Sequence, residues 1–571
     1  MTRYETLLNV LDAIRAEAPS KYKAYHGTSS EDIDNARALS FVHLYLKAKL
    51  GLLSFSDRIG QVTDGSGDGG VDGYHIDHEA KQLYLLQAKF RTNEKNFEQK
   101  EITADELSKM EISRILEGNE NDESGTPYNG KIKGLQREFS KLKGKYKCRV
   151  IILANIISYN SRTIKRLVED NEFEVFSYVR TYKELVFPVC AGTYFDPDEI
   201  TLEIQTEAGS KGDFYQYIKT SHGEHSVRLA FVPAVEIAKN VSRYKNALLK
   251  YNPRNFLSFD QNPVNADIRT SLLAEENNDF ALLNNGISIV AESDEYQDRT
   301  GVKGIGKLTI KKPQIINGGQ TAYATCKLFE EGKSAQLKSK AVLIKVITPA
   351  EGASLDISLV EGVSSANNKQ TRILEADRRS NAKELLALEQ YAFENYCLFF
   401  ERKRGQFWEG VNQKFIKKTQ VINRVLLVRS YYAFCGKASR ARTSQEIIFE
   451  EELFESILKQ ANLAAILYAY FCRDRIKAAK KYPGAVYAIL ASAGSVIDKK
   501  RISQSNTEKL LDQIEKILDE WPKFMIAMAK RKKNQKYLSG SVLSDTYFKG
   551  DTVDHDIKDY FTASRIKMEY A

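Results

Sequence analysis

The sequence predicts an α/β domain at the N-terminus, followed by a larger mixed α+β region that becomes mainly helical toward the C-terminus. Three observations lead there. Residues 30–180 alternate helix-like and strand-like segments. The middle of the chain carries strand, glycine turn and helix in succession. From about residue 375 onward the apolar positions recur mostly at helical spacing. At about 100–200 residues per domain, 571 residues predict two to four domains. We divide the chain into 1–180, a strand-rich junction at 181–234, a domain at 235–450 and a helical region at 451–571.

The elements follow in order. EDIDNARALSFVHLYLKAKLGLL (31–53) has helical spacing, and TDGSGDGGVDGYHID (63–77) is a Gly/Asp-rich turn. KQLYLLQAKF (81–90) and the β-branched KCRVIILANI (147–156) are strands. Between them EITADELSKMEISRILEG (101–118) is expected to be a helix that stops at its glycine. Further on, KLTIKKPQIINGGQTAYATCKLFEEG (307–332) is strand, Gly-Gly turn and helix. SNTEKLLDQIEKILDEW (505–521) is helical, with Pro522 expected to end or kink it.

Hydrophobic residues make up 42% and charged residues 28%, with only 11 prolines. That composition excludes a disordered chain, a collagen-like chain and a disulfide scaffold. No apolar run approaches the ~20 residues of a membrane helix. The N-terminus lacks the apolar core of a secretory signal. The six cysteines are scattered, with no CxxC pair. A cytoplasmic protein without a membrane partner is the expectation. The pairs His75/His78 and His222/His225 have no Cys or Glu partner at usual zinc spacing, and neither a P-loop nor a GxSxG elbow is present.

One constellation near the N-terminus carries chemistry. GDGGVDGY puts Asp72, with Asp68 close by, where a glycine turn enters a strand. On the next strand Gln87 and Lys89 stand at i and i+2, on one face. In a hairpin Asp72 lies across from both. Phosphodiester hydrolysis uses a divalent cation to stabilise phosphoryl charge and lower the pKa of a water. Mg²⁺, with Mn²⁺ as substitute, prefers oxygen ligands and takes one or two carboxylates. Asp72, the Gln87 amide oxygen and the Ala88 carbonyl would supply oxygens, with Asp68 adjacent. Lys89 would orient the water or stabilise charge. The alternative is an ordinary Asp/Gly turn with Lys89 reaching solvent.

GDGGVDGY followed by LLQAKF resembles the Mrr-like branch of the PD-(D/E)xK restriction-endonuclease superfamily, over about residues 30–160. The resemblance implies a restriction-endonuclease-like fold and Asp72, Gln87 and Lys89 as the active-site set. Many members carry a first-helix Glu that also binds metal. Here RALSFVHLYLKAKLG has no acid, and Glu31, Asp32 and Asp34 near the helix start are the candidates.

A second series occurs in order: YNPRNFL (251–257), PVNADIRTSLL (263–273), FALLNNGISIV (280–290), PQIINGGQTAYA (313–324), SSANNKQTRILEADRRS (364–380) and YCLFFERKRGQF (396–407). It resembles the AIPR family, the abortive infection phage resistance proteins, over about 235–450. That implies a role in defence against phage. Physically, the series contains three amide clusters: Asn284 and Asn285; Asn317, Gln320 and Thr321; and Asn367, Asn368 and Gln370. Amides suit base edges or sugar hydroxyls, and the helix start after Gly318 suits an anion. Each cluster alone is also ordinary turn chemistry; three on one pocket would read as binding.

The net charge of +9 is concentrated. From Arg402 to Gln445 eleven Lys/Arg stand against the single acid Glu409, among them Arg402, Lys403, Arg404, Lys414, Lys417 and Lys418. Such a stretch attracts polyanions, unless it is a solvated face or pairs with acids elsewhere. Phe407, Trp408, Tyr431 and Tyr432 within it would stack bases or fill a core. Together these features predict a metal-dependent DNA endonuclease acting in phage defence, regulated by an AIPR region that binds nucleic acid or a phage-derived trigger. RNA as substrate, a non-cleaving sensor and a homodimer are the alternatives carried forward.

Overall fold

A computed structural model describes all residues except 79–80, 104–105, 108, 143–144, 158–160, 194–196, 206–212, 253–262, 275–277, 299, 301–303, 351–378, 444–457, 459–461, 565 and 571. Two units emerge. The first comprises residues 1–361 with 406–418, and the second residues 362–405 with 419–571. Among the described residues no helix is long and apolar enough to cross a membrane.

The first unit opens with helices α1 (Arg3–Ala16) and α2 (Ser30–Ala48). Thr2 and Glu5 form a capping box on α1, and Ser29 caps α2 through the Asp32 amide. A buried polar network braces the turn that follows. Arg58, fully buried, donates to His43 Nδ1 at 3.1 Å and to the Leu52 carbonyl at 2.8 Å, and it pairs with Glu17. The Tyr25 hydroxyl lies 2.8 Å from His43 Nε2. Burial pushes the His43 pKa down to about 3, so the ring is neutral.

Four strands follow in spatial order: β1 (Gly73–Asp77), β2 (Gln82–Ala88), β3 (Lys147–Leu153) and β4 (Glu172–Val175). β1 and β2 are antiparallel, with Gly73 opposite Leu86, while β2–β3 and β3–β4 are parallel. β3 is interior, and Val150, Ile151, Ile152 and Leu153 are buried on both of its faces. That is why its sequence is a continuous apolar run and not an alternation. The helix Gly130–Phe139, capped by Asn129, adds Ile132 and Leu135 to the same core.

The helix expected over 101–118 is reduced among the described residues to Ile112–Leu116. The backbone ahead of it is committed elsewhere. The Ile102 amide donates to Asn155 O, Met110 to Leu167 O and Glu111 to Gly69 O. Tertiary hydrogen bonds there override helical propensity.

The same unit holds two further sheets. One has β5 (Glu199–Gln205), β10 (Ile305–Lys311) and β9 (Ser293–Gln297), antiparallel throughout. The other has five strands in the order β11 (Gln314–Asn317), β8 (Ile287–Val290), β12 (Ala341–Pro349), β7 (Gly223–Pro233) and β6 (Asp213–Thr220). β12 runs parallel to β8 and antiparallel to β7. The helices Ala234–Tyr244 and Gly319–Glu330 pack on one face of this sheet, around Val232, Ile287, Ile289 and Ile344.

The second unit is mainly helical, beside a parallel pair of β13 (Phe399–Glu401) and β14 (Val421–Asn423). Its core gathers helices around Tyr432, Tyr468 and Trp521. Pro522 does not end its helix. The break falls at Gln513–Ile514, and Glu515–Ala529 runs through the proline. Trp521, Phe524 and Met528 are buried on that helix, and their packing offsets the lost backbone hydrogen bond.

Candidate metal centre

Backbone pairing builds the centre before any side chain does. Val62 bridges Gly73, and the amides of Thr63 and Asp64 both donate to the Asp72 carbonyl, at 2.9 and 3.2 Å. The Asp72 amide donates to Leu86 O at 2.8 Å, and Asp72 Oδ2 accepts the Ala88 amide at 2.6 Å. Asp72 is thus held through main chain and side chain at the mouth of β1.

The loop between Asp64 and Asp72 folds back on itself. Asp68 accepts from the amides of Gly70 at 2.8 Å and Gly65 at 3.2 Å. Gly69 and Gly70 have φ of +60° and +76°. A Cβ on Gly70 would sit 2.7 Å from the Lys109 carbonyl, and one on Gly69 would sit 2.8 Å from the Tyr128 ring. Only glycine fits there. The loop is pinned from outside by Asn129 N–H to Gly67 O at 2.8 Å and Asn129 Nδ2 to Thr63 O at 2.9 Å.

The result is a carboxylate triad. One oxygen from each of Asp64, Asp68 and Asp72 lies within 4.8 Å of the others. Asp72 is 8% exposed, and burial pushes its pKa up to about 7. The Ala88 amide opposes the shift, Asp64 and Asp68 add to it, and Lys89 opposes it again. Asp64 and Asp68 are also raised, chiefly by burial, with Lys89 acting against the rise in both. Three neighbouring carboxylates with one ammonium retain excess negative charge, which a proton or a cation relieves. An all-oxygen set of this kind suits a hard divalent ion.

Sequence reasoning placed Asp72, Gln87 and Lys89 together. The strand pairing ends at Gly73 opposite Leu86, and Asp72, the residue before it, bonds Leu86 O through its amide and the Ala88 amide through its carboxylate. Gln87 is 2% exposed, and its Nε2 donates to Gly70 O at 2.9 Å, so it holds the loop in place. Ala88 contributes its amide, to Asp72. Asp64 was missed. Its signal was present: an acid opening the same Gly/Asp loop that Asp72 closes. Among the described residues the acid group contains Asp64 and none of Glu31, Asp32 and Asp34. Asp34 lies 3.6 Å from Arg37, and Asp32 sits in the first turn of α2.

Two of the three amide clusters also come together. Asn284 Nδ2 lies 2.9 Å from the Thr321 hydroxyl, and Asn284 Oδ1 accepts the Gly286 amide at 2.9 Å. Gly318, at φ +80°, precedes the helix Gly319–Glu330, and Asn317 Oδ1 accepts its amide. Asn285 is exposed, whereas Thr321 is buried. The Oε1 atom of Gln320 is buried without a hydrogen-bond partner. Asn367, Asn368 and Gln370 lie outside the described residues.

Residues 249–533 match the family model described as AIPR protein. That segment is similar to the AIPR family. No curated protein and no solved structure matches the chain. The basic residues of the AIPR segment divide by burial. Arg402 is buried, 3.0 Å from Glu389 and donating to Ser380 O at 2.6 Å. Lys403 and Arg424 are buried too, and Arg424 donates to Arg402 O. Arg404, Lys414, Lys417 and Lys418 are exposed. Phe407, Tyr431 and Tyr432 are buried, Trp408 half-buried.

Proposed function

We propose that the N-terminal region is a divalent-metal-dependent nuclease with a restriction-endonuclease-like core, acting on DNA. The observation that carries this reading is the convergence of Asp64, Asp68 and Asp72, with Asp72 tied to the Ala88 amide between Gln87 and Lys89. A bound Mg²⁺ or Mn²⁺ would stabilise phosphoryl charge and lower the pKa of a water. Asp64, Asp68 and Asp72 would hold it. Lys89, which already opposes the charge of all three carboxylates, would face the phosphate and orient the attacking water. Gln87 would act through the loop, keeping Gly70 and hence Asp68 in place.

The similarity of residues 249–533 to the AIPR family supports a role in abortive infection against phage. In this reading the AIPR segment binds nucleic acid or a phage-derived trigger and controls cleavage, with exposed Arg404, Lys414, Lys417 and Lys418 contributing to phosphate contact. The test is cleavage of plasmid, phage DNA and RNA with Mg²⁺, Mn²⁺ or EDTA, comparing wild type with Asp72→Ala. Metal-dependent cutting lost in the variant supports the assignment, and the preferred nucleic acid names the substrate. Binding without cutting, under every metal and with phage lysate present, overturns it in favour of a sensor.

A further inference from the structure

Among the described residues β6 is the outer strand of the five-stranded sheet, and seven of its eight residues are exposed. Free edges are normally blunted by prolines, bulges or several charges. This one carries Phe214, Tyr215, Tyr217 and Ile218, each between 42% and 57% exposed, with Lys219 as its sole cation. Phe214 lies opposite Leu229 of β7, so it shares a face with Ile218 and with the exposed Phe231. The other face carries Tyr215 and Tyr217, in edge contact at 5.4 Å, with the Arg228 guanidinium 4.5 Å from the Tyr215 ring.

We propose that this edge pairs antiparallel with β6 of a second copy, across a two-fold axis between the two Gln216 residues. Identical edges restrict the register. On an antiparallel edge the outward-pointing amides and carbonyls fall on alternate residues. Two copies expose the same alternate set, so the axis must pass through a residue position and not between two.

Centred on Gln216, the pairing is chemically self-complementary. Phe214 meets Ile218 of the second copy, Tyr215 meets Tyr217, Gln216 meets Gln216, and Lys219 meets Asp213. Asp213 and Asp294 both pair with Arg228, two carboxylates against one guanidinium. The Asp213 end of each strand therefore holds an excess negative charge that the Lys219 of the other copy neutralises. Centring one residue further along, on Tyr217, sets Lys219 against Tyr215 and leaves Asp213 beyond the paired strand. An interface of this isologous kind closes as a dimer.

The test is sedimentation velocity of the full chain over a concentration series, with no reference to cleavage. Wild type is expected to show a monomer–dimer equilibrium. The double variant Phe214→Lys and Ile218→Lys sets lysine against lysine at two pairs and should weaken dimerisation by about tenfold or more. Gln216→Cys should form a single intermolecular disulfide on mild oxidation, and Lys219→Cys should not. The cysteine variants decide the matter if the lysine variant misfolds. A wild type that stays monomeric, even one whose edge takes up an added extended peptide, overturns the proposal. So does a dimer that survives the lysine variant and yields no crosslink in Gln216→Cys.

Discussion

The Ala88 amide donates to Asp72 Oδ2 at 2.6 Å, tying the acid that closes the glycine loop to the residue between Gln87 and Lys89. Position and charge can therefore be separated. Asp72→Asn keeps an oxygen for the Ala88 amide and removes the charge. Asp72→Ala removes both. Asp72→Asn is expected to lose metal-dependent cleavage by about 100-fold or more while melting no lower than wild type at pH 7.5. Asp72→Ala should lose cleavage and also stability, by about 1–3 kcal/mol from the orphaned amide. Kinetics and thermal melts of both variants check this, and an active Asp72→Asn refutes the assigned role.

The same carboxyl sets a pH dependence. Its folded pKa, about 7, lies above the ordinary value of 3.8. The folded state then binds the proton more tightly than the unfolded one. The resulting stability is fully present below pH 3.8 and is lost as pH rises through 7. Asp72→Asn carries no such titration. In EDTA its stability relative to wild type should grow between about pH 4 and pH 8, by roughly 2–4 kcal/mol. Urea unfolding at several pH values measures it, and a flat difference shows that Asp72 is charged throughout.

A cation should relieve the same repulsion. Mg²⁺ or Mn²⁺ is expected to raise the melting temperature at about pH 8 and to do so less at about pH 5.5, where Asp72 must first release a proton. Asp64→Asn should weaken the metal-induced shift by about tenfold in affinity, taking the scale of a lost ligand contact. Equal shifts in wild type and Asp64→Asn would remove Asp64 from the site.

These residues also show what a sequence discloses. That Asp72 enters a strand hairpin beside the Gln87–Ala88 segment was legible, because a glycine turn followed by two strand-like runs fixes it without tertiary information. β3 was legible because an interior parallel strand is apolar on both faces. Asp64 was not, because its place depends on a loop closed by positive-φ glycines and pinned by Asn129 from far along the chain. The charge run from Arg402 could not reveal which cations turn inward. Arg402 does so because Glu389 waits beside it. The helix over 101–118 failed for a related reason, since its amides had distant partners.

Gly70 tests whether the loop conformation itself matters. Gly70→Ala places a methyl 2.7 Å from the Lys109 carbonyl at φ +76°. A cost of about 1–3 kcal/mol is expected, together with reduced metal affinity, because Asp68 is oriented by the Gly70 amide. Gly60→Ala is the control. Its backbone is helical and nothing lies within 4 Å of the added carbon. Its melting temperature and metal response should match wild type. Loss in both variants would point to global destabilisation instead.

The paired turns of the AIPR segment admit a similar separation. Gly318→Ala would bring a Cβ within 2.5 Å of Gly286 O at φ +80°, so it forces the two turns apart and should cost about 1–3 kcal/mol. Asn284→Ala leaves the backbone alone but strips the Gly286 amide and the Thr321 hydroxyl of their shared partner. That too should destabilise, by about 1–2 kcal/mol. Gln320→Leu discriminates structure from binding. The Gln320 Oε1 atom is buried with no partner, so the substitution should leave stability unchanged or raise it. If the turns serve only the fold, Gln320→Leu leaves DNA and RNA binding at wild-type affinity in gel-shift titrations. If they hold a ligand, binding falls while the melt does not.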